Sequence, residues 1–156
     1  MEDPSAAALL VAKGSRATEL GVTLDLEDAS RLPALPDDVS ADILTVLGNL
    51  VDNAMEAVAP ARGTVTVRLV LVDDAVEVRV TDDGPGVPDD LAEQVFSQGF
   101  STKQASDPGE RGWGLALCRV VCERRGGSVT VTRSEARRTV FTAVLPRTLM
   151  REEVQP

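Results

Sequence analysis

No histidine occurs in the 156 residues, and only two cysteines do. Cys118 and Cys122 lie four apart within a helical pattern. With no imidazole to complete a metal site, they read as small apolar residues on a buried helix face in a reducing compartment. Long apolar runs are missing too. No stretch approaches the roughly 20 residues needed to span a bilayer, and Met1 to Ala8 lacks the basic start of a signal peptide, so a soluble chain is expected. Positive charge is in deficit, 16 Lys and Arg against 25 Asp and Glu. Such a surface repels a nucleic-acid backbone or an anionic leaflet, and neither is expected as a partner. An anionic nucleotide stays compatible, because a metal ion and a local cluster of donors outweigh a diffuse charge. What is present in quantity is apolar, 43% of the chain, enough for one compact domain with a core of its own.

The spacing of those apolar residues predicts the elements. Residues 4 to about 20 read as helix (Ala6, Leu9, Leu10, Ala17, Leu20) ending at Gly21, before the alternating Val22, Leu24 and Leu26 of a strand. After the Pro33/Pro36 loop, Ser40 is a candidate cap for a second helix, with Asp42 in its first turn, running to about Val58. Ile43, Leu47, Leu50, Ala54 and Val58 form its apolar stripe, and Asn49, Asn53 and Glu56 fall on a polar edge beside it. Val65/Val67/Leu69/Leu71 and Val76/Val78/Val80 read as an antiparallel hairpin turning at Asp73-Asp74. Residues 82 to 112 are rich in glycine and proline, and a mobile segment is expected there. Helical spacing returns at Leu115, Cys118, Val121 and Cys122 and stops at Gly126-Gly127; Val129/Val131 and Val140/Ala143/Val144 suggest a closing hairpin. The sum is an α/β (α+β) two-layer sandwich, a mostly antiparallel mixed sheet with helices packed on one face.

Three stretches carry chemistry. In Gly48-Asn49-Leu50-Val51-Asp52-Asn53-Ala54, asparagines at i and i+4 put two carboxamides on one helix edge. Their carbonyl oxygens suit Mg²⁺, which takes one or two protein oxygens while phosphates and water fill the rest; a merely solvated helix face would show the same spacing. In Val80-Thr81-Asp82-Asp83-Gly84-Pro85-Gly86, a strand ends in a carboxylate able to accept a hydrogen bond from an exocyclic amine such as adenine's, or is an ordinary Asp-Gly turn. In Gly109-Glu110-Arg111-Gly112-Trp113-Gly114-Leu115, glycines lead into a helix start, where unpaired amides and the dipole favour anions. That spacing is neither a P-loop nor a dinucleotide fingerprint.

Taken in order, the asparagine helix, the Asp-x-Gly-x-Gly turn, Val95-Phe96-Ser97-Gln98-Gly99-Phe100-Ser101-Thr102-Lys103 and Gly112-x-Gly114-Leu115 resemble four boxes of a known domain. They are the N box, first glycine box, F box and second glycine box of the histidine-kinase ATP-binding domain, which belongs with gyrase, the heat-shock chaperone and mismatch-repair ATPases. The match spans residues 21 to about 146. The Gly-Phe-Ser-Thr-Lys stretch further resembles the citrate and dicarboxylate sensor subgroup.

This resemblance implies ATP and Mg²⁺ as ligands. Asn53 would be the metal ligand with Asn49 supporting metal or phosphates, Asp82 would read the adenine amine, and Gly84 and Gly86 would floor the base pocket. Gly112, Gly114 and Leu115 would open the last helix toward the phosphates, and Lys103 would reach them from a mobile ATP lid anchored by Phe96 and Phe100. Glu56 and Arg111 would border the nucleotide. Residues 1–20 would be a helical lead-in from an upstream dimerisation and phosphoacceptor hairpin, 21–148 the ATP-binding domain and 149–156 a flexible tail. Hydrolytic relatives carry a glutamate general base where this chain has Asn49, and an amide cannot accept a proton from water. That favours phosphoryl transfer to another nucleophile, and speaks against the anti-sigma-factor serine kinases, which resemble the hydrolases there. The acceptor histidine must lie on another segment or chain. The resemblance thus implies a two-component phosphorelay with a response regulator, in a cytoplasmic domain of a membrane-anchored sensor. A degenerate, non-catalytic interaction module is the alternative from another class. Ala136-Arg137-Arg138-Thr139 departs from the family, which commonly has a glycine-rich turn there.

Overall fold

The computed structural model describes residues 2–92, 94–96, 114–134 and 136–147. Helix α1 spans Pro4–Leu20. Its first amides are capped by the buried Asp3, whose carboxylate accepts from the Ala6 N–H at 3.1 Å, and it ends at Gly21 with φ +73°. Strand β1 is Thr23–Leu26 and helix α2 is Asp37–Val58. Ser40 was the expected cap of α2, but the helix begins three residues earlier, behind Pro36, and Asp37 and Asp38 supply the acidic first turn. The Ser40 hydroxyl instead donates to Asp3 at 2.9 Å. A serine competent to cap was drawn off by a buried carboxylate 37 residues away, a long-range competitor that helix-end signals do not contain.

Strands β2 (Thr64–Val72) and β3 (Ala75–Asp82) form the expected hairpin, closed by Asp73 and Asp74 in left-handed conformation. Helix α3 is Gly114–Arg124, and β4 (Ser128–Arg133) and β5 (Thr139–Pro146) complete the sheet. The order is β1-β2-β3-β5-β4, with β1 parallel to β2 and every other pair antiparallel. The helices cover one face. Ile43, Leu47, Leu50, Ala54 and Val58 of α2, all buried, meet Val65, Val67, Val78, Val80, Ala143 and Leu145 from the sheet in one core. Each such Val or Leu contributes about 1.5–3 kcal/mol on burial. α1 is packed into this body, with Ala6 and Ala17 buried and Lys13 bridged to Asp52 of α2 at 2.8 Å.

In β5 the inward residues are Thr139, Phe141, Ala143 and Leu145, while Val140 and Val144 point to the opposite face. Val140, Ala143 and Val144, the residues that signalled this strand, thus lie on both of its faces. This strand is apolar on both, so alternation alone carries no phase; Phe141 sets it, packing edge-on against Phe96 with ring centroids 6.0 Å apart. On the face without helices, Arg68 of β2 stands directly opposite Arg79 of β3. In the last turn, Arg137 adopts φ +63° where a glycine would be at ease, held by Ser134, whose carbonyl and hydroxyl accept from the Arg137 and Arg138 amides.

Candidate functional site

One edge of α2 organises the polar residues singled out in the sequence. Asn49 and Asn53 are half-buried there. The Asn49 amide nitrogen donates to the Thr45 carbonyl at 2.8 Å, which fixes the side chain and turns its Oδ1 outward, against the start of α3. A Cβ built on Gly114 would come within 2.7 Å of that oxygen, so only glycine lets the α3 N-terminus approach the carboxamide this closely. Leu115 follows, half-buried, in the first turn.

Two turns further along α2, Ala57 borders the end of β3. A Cβ on Gly84 would lie 3.3 Å from the Ala57 carbonyl and 2.9 Å from Asp82 Oδ1. Asp82 is 2% exposed and accepts the Gly84 N–H at 2.9 Å. The next carboxylate, Asp83, is turned away and accepts the Thr64 N–H at 2.9 Å, tying the turn to the start of β2. Gly86 has φ +86° and lies under Arg133, whose guanidinium donates to the Pro85 carbonyl at 2.8 Å and occupies the space a Cβ would need. Asn49, Asn53 and Ala57 follow at i, i+4 and i+8, so about 12 Å of helix edge joins the Gly114 end to the Asp82 end.

Sequence reasoning missed Thr139. It pairs with Asp82 across β3 and β5, is 4% exposed, and its hydroxyl has no hydrogen-bond partner. A buried hydroxyl left unpaired is costly and marks a place where a further polar group fits. Nothing local in the sequence distinguishes this threonine from its strand neighbours; only the register reveals it.

Glu56 is exposed and lines a separate cavity of about 360 Å³ between α1 and α2, with Lys13, Asp52 and Met55. Cys118 and Cys122 are buried on α3, Cys118 Sγ lying 3.7 Å from the Val46 carbonyl. Burial pushes both thiols up to about 12, so neither is a nucleophile at neutral pH. Phe96 is buried in the core against Phe141. Lys103, Gly112, Phe100, Arg111 and Trp113 lie outside the described residues. Among the described residues no three His, Cys, Asp or Glu side chains converge as a metal site, and no helix is long and apolar enough to cross a membrane.

Asn49 and Asn53 present hard oxygen donors suited to a cation that completes its shell with phosphate and water. The Gly114 cradle admits an anion to the α3 amides. The other end offers a buried carboxylate and an orphaned hydroxyl to a heterocycle's polar edge. These features fit Mg²⁺ and a purine nucleotide.

Residues 38–149 match the family model described as histidine kinase-, DNA gyrase B-, and HSP90-like ATPase. The sensor histidine kinase DcuS of Escherichia coli (strain K12) is 38% identical over 148 residues, covering 94% of this chain and 26% of that protein. A probable C4-dicarboxylate sensor kinase of Halalkalibacterium halodurans is 34% identical over 151 residues, covering 94% of this chain and 28% of that protein. The chain thus spans about a quarter of the length of these curated relatives. Among solved structures, the catalytic domain of histidine kinase ThkA superposes with a TM-score of 0.73 at 26% identity, covering 92% of both chains. The same kinase, solved in complex with the response regulator TrrA, gives the same score over 40% of its length.

Proposed function

The chain belongs to the histidine kinase-, DNA gyrase B-, and HSP90-like ATPase family, and on that premise we propose that it is the Mg-ATP-binding catalytic domain of a sensor histidine kinase. Its reaction would transfer the γ-phosphoryl group of ATP to a histidine on another domain or chain, for relay to a response regulator. The observation that carries this reading is the α2 edge, bordered at one end by Gly114 and Asn49 and at the other by Asp82 and Gly84. Asn53 would ligate Mg²⁺ through its carboxamide oxygen, with Asn49 beside it. When bound, the ion supplies charge neutralisation on the phosphates.

The chain's own residues would do the positioning. Asp82 would accept the adenine amine, Gly84 would floor the base pocket beside Ala57, Gly86 would complete that floor by admitting Arg133 over the turn, and the first amides of α3, with Gly112 and Lys103, would hold the phosphates. No carboxylate stands at position 49 to activate water. The asparagine there already donates to Thr45, which leaves it a ligand rather than a base. We assign the parent protein to the citrate and dicarboxylate sensor subgroup, on the Gly-Phe-Ser-Thr-Lys stretch and the relatives above. Upstream of α1 we place a histidine-bearing dimerisation hairpin, and a membrane-anchored sensor with this domain on the cytoplasmic side.

Calorimetric titration with ATP, with and without Mg²⁺, tests the binding. Saturable Mg²⁺-dependent uptake that Asn53→Ala abolishes is expected, and a degenerate module would show none. Incubating the chain with a histidine-hairpin domain and labelled ATP tests the transfer. Acid-labile label is expected, whereas acid-stable label would mean serine phosphorylation.

A further inference from the structure

α2 and α3 run antiparallel and are tied at both ends. Gly114 opens α3 against Asn49, and Cys118 lies one turn on beside the Val46 carbonyl. At the far end Arg125, the residue after the helix, donates from Nε to Asp42 at 2.6 Å and from Nη2 to Asp38 at 3.1 Å. Its Nη1 reaches the carbonyls of Pro146 and Arg147, where β5 ends. Arg124 adds a 2.9 Å bond to Asp42. The Arg125 side chain is 1% exposed. Burying a guanidinium is tolerable only when charge and donors are both matched, and here two carboxylates and two carbonyls do so. The flat fork is essential, since a lysine ammonium could not span four acceptors divided between α2 and the end of β5.

A rod of 11 residues, roughly 16 Å long, that is fixed at one end sets the place of the other. A tilt of a few degrees about Arg125 would move Gly114 by about 1 Å, a displacement on the scale that degrades a reacting geometry. We propose that Arg125 is a positioning residue for phosphate binding: by locking the α3 axis to the first turns of α2 and to the end of β5, it holds the α3 amides opposite Asn49 and Asn53. The proposal rests on the function given above. It assigns to Arg125 no contact with the nucleotide.

The test is titration of the full chain and its Arg125→Lys, Arg125→Ala and Asp38→Asn variants with Mg-ATP and, separately, with adenosine, which lacks phosphates. In Arg125→Lys, Mg-ATP affinity is expected to fall about tenfold while adenosine affinity stays within about twofold. A purely structural role would lower both affinities together through the unfolded fraction, leaving their ratio fixed. Should Arg125→Ala fail to fold, Arg125→Lys keeps the charge and Asp38→Asn alters a carboxylate that is 61% exposed, and these two carry the measurement. An unchanged ratio in folded variants overturns this inference alone. Failure of the wild-type chain to bind either ligand overturns the proposed function, and this inference with it.

Discussion

The two ends of the α2–α3 pair use polar groups in opposite ways. At the Arg125 end each charge has a counterpart: one buried guanidinium meets two carboxylates and two backbone carbonyls. At the Asn49 end the carboxamide oxygen stands against the glycine that opens α3, and beside Asp82 the Thr139 hydroxyl is buried without a partner. A saturated cluster stiffens, whereas an unsaturated one is a place prepared for something else. Within this helix pair and the edge beside it, the contrast sets scaffold apart from site.

The largest effect that would sharpen it is kinetic and concerns the seam between the ends. With thiols at about 12, Cys118 and Cys122 should react with a thiol reagent at pH 8 about a thousandfold more slowly than a free cysteine. Rapid native labelling of Cys118 would show the seam open and break the idea of a rigid strut. Next comes Gly114→Ala. The added methyl would meet Asn49 Oδ1 at 2.7 Å, and about 2 kcal/mol of Mg-ATP affinity should go with the displaced carboxamide. Melting temperature should change little, since the clash falls on the end of one half-buried side chain that can turn aside; binding lost with stability kept is the signature of the unsaturated end.

Thr139→Val is smaller. Removing the orphaned hydroxyl should leave the ligand-free chain as stable or up to about 1 kcal/mol more so, while ATP affinity falls about tenfold. A valine that binds ATP normally would reduce Thr139 to a packing residue. The smallest effect lies at the saturated end. The Arg125 guanidinium, by its hydrogen bond, holds the Asp38 carboxyl below the ordinary carboxylate value of 3.8. A depressed folded-state value means that the contribution is complete above the unfolded value and is lost as pH falls below about 4. Asp38 is largely exposed, so acid titration should show a shallow loss that Asp38→Asn flattens.

Much of this was legible in the sequence, for reasons that differ between residues. The α2 stripe and the Asn49/Asn53 edge follow from helical periodicity alone, and Asp82 from a strand that ends at a glycine turn. Such features are local, and local spacing encodes them. What escaped depends on partners distant in the chain. Ser40 bonds to Asp3, 37 residues away; Arg125 reaches Asp38, 87 residues away; Thr139 matters only because it faces Asp82 across two strands. Arg125 in particular reads in sequence as one more charge in a basic pair, and nothing short of the fold shows it buried. The mixed faces of β5 have a different cause. Val140 and Phe141 are both apolar and adjacent, and a strand at the heart of a sheet obscures its own phase.

The bare side of the sheet carries one more lesson. Because Arg68 and Arg79 stand opposite each other there, two copies brought together face to face would crowd four guanidinium groups into one plane. Glu77 offsets part of that charge through its 3.4 Å pair with Arg79, but the guanidinium row as a whole opposes a second copy stacking on this face.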